Sequence, residues 1–295
     1  MVEKKLNWQS KTVLLAVLPF AGTEVALNCF WWATKGPAVA VWAVGCSALL
    51  AVLTWILRAA TPSASLTGLL ITASLMFSTG TIPYEPWHTA LAPILAVSLL
   101  AFGATRAGGR KKEQLGTAEG RRGRSAAQVA ANLGVAAMVA SSPMEMWLMN
   151  AGVAPGMMAH SVATVLSLAA MAEAAADTVS SEIGQVIGGR PRLITTLRTV
   201  EPGRDGAVSL AGSAAGVAAA AVVAGVGDWA LGGGWELFWI SGAGAVFGLF
   251  FDSLLGATLE EHGWLNNDAV NFLSTASAAG FALLLLALRP HLGIG

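Results

Sequence analysis

The sequence predicts an all-α, polytopic membrane protein, about nine transmembrane helices with the polar site at the cytoplasmic face. Three observations carry that expectation. Mean hydropathy is +0.64, and only 12% of 295 residues are charged, a balance typical of polytopic helical chains. Runs of about 20 apolar residues recur, each enough to cross the roughly 30 Å hydrocarbon core, while the alternation of membrane strands is absent. Basic residues collect on alternate loops. Net charge is zero, so no electrostatic argument favours nucleic acid as a partner.

The spans read, in order, as 12–33, 37–57, 65–81, 88–105, 126–149, 156–183, 206–228, 236–257 and 268–288. The apolar run after Lys11 is too long for a removable signal peptide, and Cys29, Phe30, Trp31 and Trp32 follow without a small-residue cleavage site. Cys29 and Cys46, the only cysteines, fall in apolar runs and read as small buried side chains rather than a disulfide. The third span is the shortest; Thr61-Pro62-Ser63 before it is a helix start or a contact. In the seventh and eighth, Gly212-xxx-Gly216 and Gly244-xxx-Gly248 put small residues on one face for close helix packing. Asn267 or Asp268 reads as an N-cap for the ninth. Trp31, Trp32, Trp87, Trp147, Trp229, Trp235 and Trp264 gather near span ends, as in an interfacial belt. No repeat is visible, so residues 1–295 read as one integrated membrane domain.

The positive-inside rule orients the chain. With the N-terminus inside, Lys4, Lys5, Lys11, Arg58, Arg106, Arg110, Lys111, Lys112, Arg121, Arg122, Arg124, Arg190, Arg192, Arg198 and Arg204 face the cytoplasm, and only Lys35 and Arg289 do not. The polar clusters near Thr61, in 106–132, in 177–209 and near Asp252 and Asp268 then share that face, where segments far apart in sequence meet in one cleft.

Asp177 and Glu182 interrupt an alanine-rich span, and an ionised carboxylate in hydrocarbon costs several kcal/mol unless it faces a cavity, a partner or an ion. Glu173 shares a helix face with Asp177. Glu182 lies about 140° around an ideal helix from Asp177, so their convergence needs the helix to end, and Gly184 is placed to end it. A divalent ion bound by Asp177 and Glu182 would relieve the clash between acids and the helix C-terminus; an ion pair with Arg190 or Arg192 is the alternative. The segment from Gly188 through Arg190, Arg192, Thr195, Thr196, Arg198 and Gly203 to Gly206 and Ser209 combines glycines, hydroxyls and arginines, a composition suited to phosphate, although topology alone explains the arginines. The charge of loop 106–124 reads as a topology signal and an attraction for anionic headgroups. Arg124, Gln128 and Asn132 form a polar stripe entering the fifth span. Asp252 lies near the inner end of the eighth, and Asn267 and Asn271 share a face. No P-loop, no GxGxxG, no zinc spacing among four histidines and no Ser-His-Asp set is present, so phosphoryl chemistry would need a membrane-embedded carboxylate site.

These motifs, Gly123 to Val129, Ala176 to Gly184, Gly189 to Thr196, Gly206 to Ser209, Asp252 to Gly256 and Asn267 to Phe272, resemble in order the integral-membrane family catalogued as domain of unknown function 92. That family includes phytyl-phosphate kinase of plants and cyanobacteria and the transmembrane protein 19 group. Residues 58–288 form the family core; 1–57 match less clearly. The resemblance implies transfer of the terminal phosphate of a nucleoside triphosphate, CTP in the first instance, to an isoprenyl monophosphate such as phytyl or geranylgeranyl phosphate. It further implies Asp177, Glu182 and Asp252 as catalytic groups and, with Asp268, as the Mg²⁺ set. Arg124, Gln128, Asn132, Arg190, Arg192, Arg198, Gly206, Ser209, Asn267, Asp268 and Asn271 would contact substrate or phosphate. Glu173 departs from the family pattern, and its role stays open, as does that of Glu24. Membrane lipids are further partners, and the oligomeric state, a homodimer included, stays open. The rival readings are a cation- or proton-coupled transporter, a CTP-dependent lipid cytidylyltransferase and a non-enzymatic scaffold.

Overall fold

The structure is a computed structural model describing residues 2–115, 123–187 and 189–292. Eleven helices carry the described chain: α1 (Val2–Lys35), α2 (Pro37–Ile56), α3 (Pro62–Thr79), α4 (Leu91–Arg106), α5 (Gly109–Leu115), α6 (Ala126–Val139), α7 (Ser142–Asn150), α8 (Met157–Ile187), α9 (Leu210–Leu231), α10 (Trp235–Leu255) and α11 (Asn267–Leu292). A short antiparallel hairpin, β1 (Arg192–Leu193) with β2 (Ala207–Val208), joins α8 to α9.

The organising element is α8. Of its most apolar stretch 89% is buried, against 22% for α1 and α2, and α4, α6, α9, α10 and α11 all pack on it. Its composition explains this: a run of buried alanines from Ala159 to Ala176 gives a thin cylinder against which backbones can close. The paired glycines of the neighbours complete the fit. A Cβ at Gly216 would lie 2.8 Å from the Ala176 carbonyl oxygen, and one at Gly244 3.1 Å from Ala169 Cβ. At about 1.5 Å per residue α8 is about 46 Å long, so its last ten or so residues outrun the roughly 30 Å core. Asp177 begins that overhang.

Each of the nine expected spans meets helix, but only six helices among the described residues are long and apolar enough to cross alone, or seven if α4 and α5 form one span across their 64° bend. Two features account for the difference. The expected span 126–149 is broken, because Ser141 accepts from the Met144 N–H as an N-cap and Pro143 starts α7 within its first turn. Helix α3 buries five hydroxyls (Ser65, Thr67, Thr72, Ser74 and Thr79) and is correspondingly less apolar. Two local expectations also change. Gly184 does not end α8, which runs on to Ile187; a Cβ there would stand 3.2 Å from Ser209 Oγ and 3.6 Å from Gly212 Cα, so the glycine serves the crossing with α9. The N-cap of α11 is Asn266, whose Oδ1 accepts from the Ala269 N–H at 2.9 Å, leaving Asn267 and Asp268 free of that duty.

Candidate functional site

Backbone pairing gathers the polar segments at one end of the bundle. The Arg124 N–H donates to the Ala59 carbonyl at 3.0 Å, and the Thr61 N–H donates to the Arg124 carbonyl at 3.0 Å. Gly123 makes this approach feasible: its φ is +74°, and a Cβ would stand 2.6 Å from the Arg58 oxygen and the Ala59 carbonyl carbon. Arg106 closes the same corner by donating to the Leu57 carbonyl at 2.8 Å. Across the bundle, Gln9 and Ser10 of α1 hydrogen-bond Trp264, Asn266 and Asp268, with Ser10 Oγ donating to Asp268 Oδ2 at 2.6 Å.

Between these two corners stand three carboxyl groups. Asp177 of α8 and Asp252 of α10 are near neighbours, with the Arg124 guanidinium and Glu182 also in the surroundings of Asp177. Glu173, one turn before Asp177, is 1% exposed and packs on Gly248. Glu173 Oε1 and Asp252 Oδ2 are buried without a hydrogen-bond partner. Three acids beside one arginine cannot all stay ionised in a desolvated place unless something positive joins them.

Glu182 belongs elsewhere. Because α8 continues through Gly184, the two acids stay about 140° apart, and Glu182 pairs at 2.6 Å with Lys112, whose side chain is 1% exposed. Lys112 Nζ also donates to the Ala104 and Thr105 carbonyls at 2.7 and 3.1 Å, and Thr105 Oγ1 donates to Glu182 at 3.0 Å. This closed set pins the bend between α4 and α5 to the end of α8. For Glu182 the alternative of an ion pair is the one realised, but with Lys112 in place of Arg190 or Arg192, a residue read from the sequence only as a topology charge.

The arginine segment is the hairpin. Arg190, Arg192 and Arg198 are exposed and line neither cavity described below, Arg204 pairs with Glu261, and Gly188 lies outside the described residues. Gly206, at φ +70°, makes its close approach to the protein: a Cβ would stand 2.4 Å from Ala257 Cβ and 2.5 Å from the Ser253 carbonyl oxygen. Ser209 Oγ caps α9 by accepting from the Gly212 N–H at 3.1 Å. Ser125 and Gln128 form a capping box at the start of α6, and Asn132 donates to the Gln128 carbonyl at 2.9 Å. Asn132 and Asn271 are buried.

Two cavities lie near the acids, and neither is lined by Glu173, Asp177 or Asp252. One, of about 410 Å³, runs between α2, α3, α4 and α6 and carries Arg58, Arg106 and Arg124 with a mainly apolar wall that reaches Ala174 of α8. The other, of about 650 Å³, is polar: Asn7, Ser10, Ser125, Gln128, Asp205, Glu260, Asn267 and Asp268 line it. Arg124 and Ser125, adjacent in the chain, thus face different cavities. Asp205 is held above the ordinary carboxylate value by desolvation first and by Glu261 second, with Arg204 opposing. Glu260 lies in the electrostatic surroundings of both Asp177 and Asp268, linking this cavity to the acid cluster. The sequence marks Arg58 and Arg106 only as inward-facing charges, Asp205 only as part of the polar segment 177–209, and Glu260 not at all; the pairing of 57–61 with 123–124 and the packing of Gly206 on α10 bring them to the cavities.

Among the described residues no three His, Cys, Asp or Glu side chains are disposed to hold a metal ion together. The expected set of Asp177, Glu182, Asp252 and Asp268 is divided among the acid cluster, the Lys112 contact and the polar cavity. Asp177 and Asp252 remain as a pair. Mg²⁺ is commonly held by one or two carboxylates together with substrate phosphates and water, and the partnerless Asp252 oxygen suits that arrangement.

A carboxyl cluster at one end of a polytopic helical bundle, with an apolar and a polar cavity nearby, marks the candidate site of an integral membrane protein. Residues 45–279 match the family model described as integral membrane protein DUF92, and the chain belongs to that family. It is 41% identical over 108 residues to the uncharacterized membrane protein MJ0933 of Methanocaldococcus jannaschii, covering 37% of this chain and 45% of that one. It is 35% identical over 202 residues to the uncharacterized membrane protein sll0875 of Synechocystis, covering 64% and 71%. To Protein VTE6, chloroplastic, of Arabidopsis thaliana, it is 35% identical over 116 residues, covering 37% and 34%. The match thus spans less than half of the first and third of these relatives. No solved structure matches the chain.

Proposed function

We propose that the protein is a membrane-embedded kinase that transfers the terminal phosphate of a nucleoside triphosphate, CTP in the first instance, to an isoprenyl monophosphate such as phytyl or geranylgeranyl phosphate. The family resemblance supplies the reaction class. The observation that supports it most is the Asp177–Asp252 pair, which has in its surroundings both Arg124, from a cavity with three arginines and an apolar wall, and Glu260, from a polar, acid-lined cavity. Such an arrangement suits two anionic substrates of unlike solubility that must meet at one point.

In the transfer, an oxygen of the acceptor phosphate attacks the terminal phosphorus of the nucleotide. The new bond is P–O–P to the lipid, the bond to the β-phosphate oxygen breaks, and the nucleoside diphosphate leaves. An already ionised phosphate needs no strong general base, so the protein's task is alignment and charge compensation. Asp177 and Asp252 would hold Mg²⁺, which when bound neutralises the nucleotide phosphates. Arg124 sits at the junction, beside Asp177 and on the wall of the lipid-side cavity. The polar residues Gln128, Asn267 and Asp268 line the side assigned to the nucleotide. The site is assigned to the cytoplasmic face, where nucleotide is supplied.

The test is direct. Purified protein with Mg²⁺, CTP and a prenyl monophosphate is expected to yield the prenyl diphosphate and CDP. Release of pyrophosphate instead would establish the cytidylyltransferase reading. One observation favours the transporter: His160 contacts Glu145 at 2.7 Å, and Glu145 is near the buried Glu24, away from the arginine corner. Substrate flux across liposomes without nucleotide turnover would establish it.

A further inference from the structure

The shape and charge of the arginine-bearing cavity narrow what it can hold. It is an elongated slot. Its wall descends α4 from Arg106 through Phe102, Ala101, Ser98 and Val97 to Ile94, a drop of about 18 Å at 1.5 Å per residue, which is more than half of the roughly 30 Å hydrocarbon core. Leu50, Leu133 and Val129 from the facing helices keep the depth mainly apolar. All its charged residues lie at one end and are of one sign: Arg58, Arg106 and Arg124. Among the described residues no carboxylate forms an ion pair with Arg58 or Arg106. Arg106 stacks over Phe102 at 4.0 Å while donating to the Leu57 carbonyl, so its guanidinium is positioned by the protein rather than left to roam. Arg58 is held in a left-handed backbone conformation, φ +54°, which a non-glycine residue adopts at a cost.

We infer that this slot binds a single-chain lipid monophosphate, with Arg58 and Arg106 gripping the phosphate and Gly68 setting the length of tail admitted. The occupant follows from charge and shape together. A dianionic head matches guanidinium donors, one tail fits a narrow 410 Å³ slot, and a free phosphate would leave the apolar depth without purpose. Gly68 lies on the wall, and a Cβ there would meet only Val129 Cγ1, at 4.0 Å. The position therefore opens into the slot, and a larger side chain fills space that a tail would use. The identification of this lipid as the phosphate acceptor rests on the kinase reading; its binding does not.

The experiment titrates dodecyl phosphate and butyl phosphate into the purified full chain in lipid nanodiscs, with empty discs as blank and no nucleotide present. Dodecyl phosphate is expected to bind, with Arg58→Gln and Arg106→Gln each weakening it by at least roughly ten-fold. Gly68→Leu is expected to weaken dodecyl phosphate by roughly four-fold per methylene displaced and to leave butyl phosphate unchanged. Inorganic phosphate, dodecanol or two-chain phosphatidic acid binding as tightly as dodecyl phosphate would overturn the proposal. So would binding indifferent to Arg58→Gln in protein that still elutes as a single species, or equal effects of Gly68→Leu on both chain lengths. Arginine-dependent binding without any turnover would count against the kinase alone, and turnover with arginine-independent binding against the slot alone.

Discussion

Asp177 and Glu182, five positions apart on one helix, have different work to do. Asp177 faces Asp252 across the α8–α10 contact, and Asp177→Asn and Asp252→Asn are each expected to lower turnover by at least a hundred-fold while the protein still purifies as a folded species. Glu182 compensates a buried ammonium. Glu182→Gln leaves Lys112 charged and unpaired, and is expected to destabilise the fold by about 3–5 kcal/mol. Removing both charges in Glu182→Gln/Lys112→Met should restore most of that loss, a coupling that denaturation of the four proteins would read. Asp205 bears on pH. Its folded-state pKa lies above the ordinary value, so protons compete for it nearer neutrality than for a free aspartate. Stability is expected to fall as pH rises through the acid range in which Asp205 ionises, and Asp205→Asn to flatten that fall in thermal melts at a series of pH values. The sequence disclosed which acids are out of place in an apolar span, since cost alone marks them. It did not disclose their partners, because Lys112 lies 70 positions from Glu182 and its charge reads the same whether it is solvated or buried.

Among the elements, the spans were legible where apolarity is continuous and blurred where a cap intervenes. Helices α1, α2, α8, α9, α10 and α11 follow the hydropathy closely, whereas Ser141 and Pro143 divide one expected span into α6 and α7. The glycine pairs were readable as packing, and the structure gives them specific neighbours. Gly216→Leu must push a side chain into the Ala176 carbonyl at 2.8 Å and Ser180 Cβ at 2.9 Å, so it is expected to abolish folded protein, as read by gel filtration in detergent. Gly22→Leu, with nothing within 4 Å of the added Cβ, is the tolerated control. The hairpin was the least legible element. Its glycines and arginines look like a phosphate cradle, yet Gly206 is there to let the chain lie on Ala257 and Ser253, and what the hairpin contributes to a cavity is Asp205.

For the molecule as a whole, hydropathy and the ordered motifs revealed the fold class and the family, because bilayer energetics act on composition. The meeting of 57–61, 105–112, 123–132, 177–187, 205–209 and 252–268 at one end was anticipated from charge placement, but the division of that end into two compartments was not. Orientation remains a proposal with a simple check. In a variant lacking Cys29 and Cys46, a cysteine at Arg198 should resist a membrane-impermeant maleimide in sealed cells and react after permeabilisation, with a cysteine at Ile82 behaving the other way. The adjacency of Arg124 and Ser125, one peptide apart yet facing different chambers, has a kinetic corollary. Donor and acceptor would dock without displacing each other, so initial-rate plots at several fixed acceptor concentrations should give intersecting lines. Parallel lines, the mark of a phosphorylated-enzyme relay, would mean that a single chamber serves both in turn.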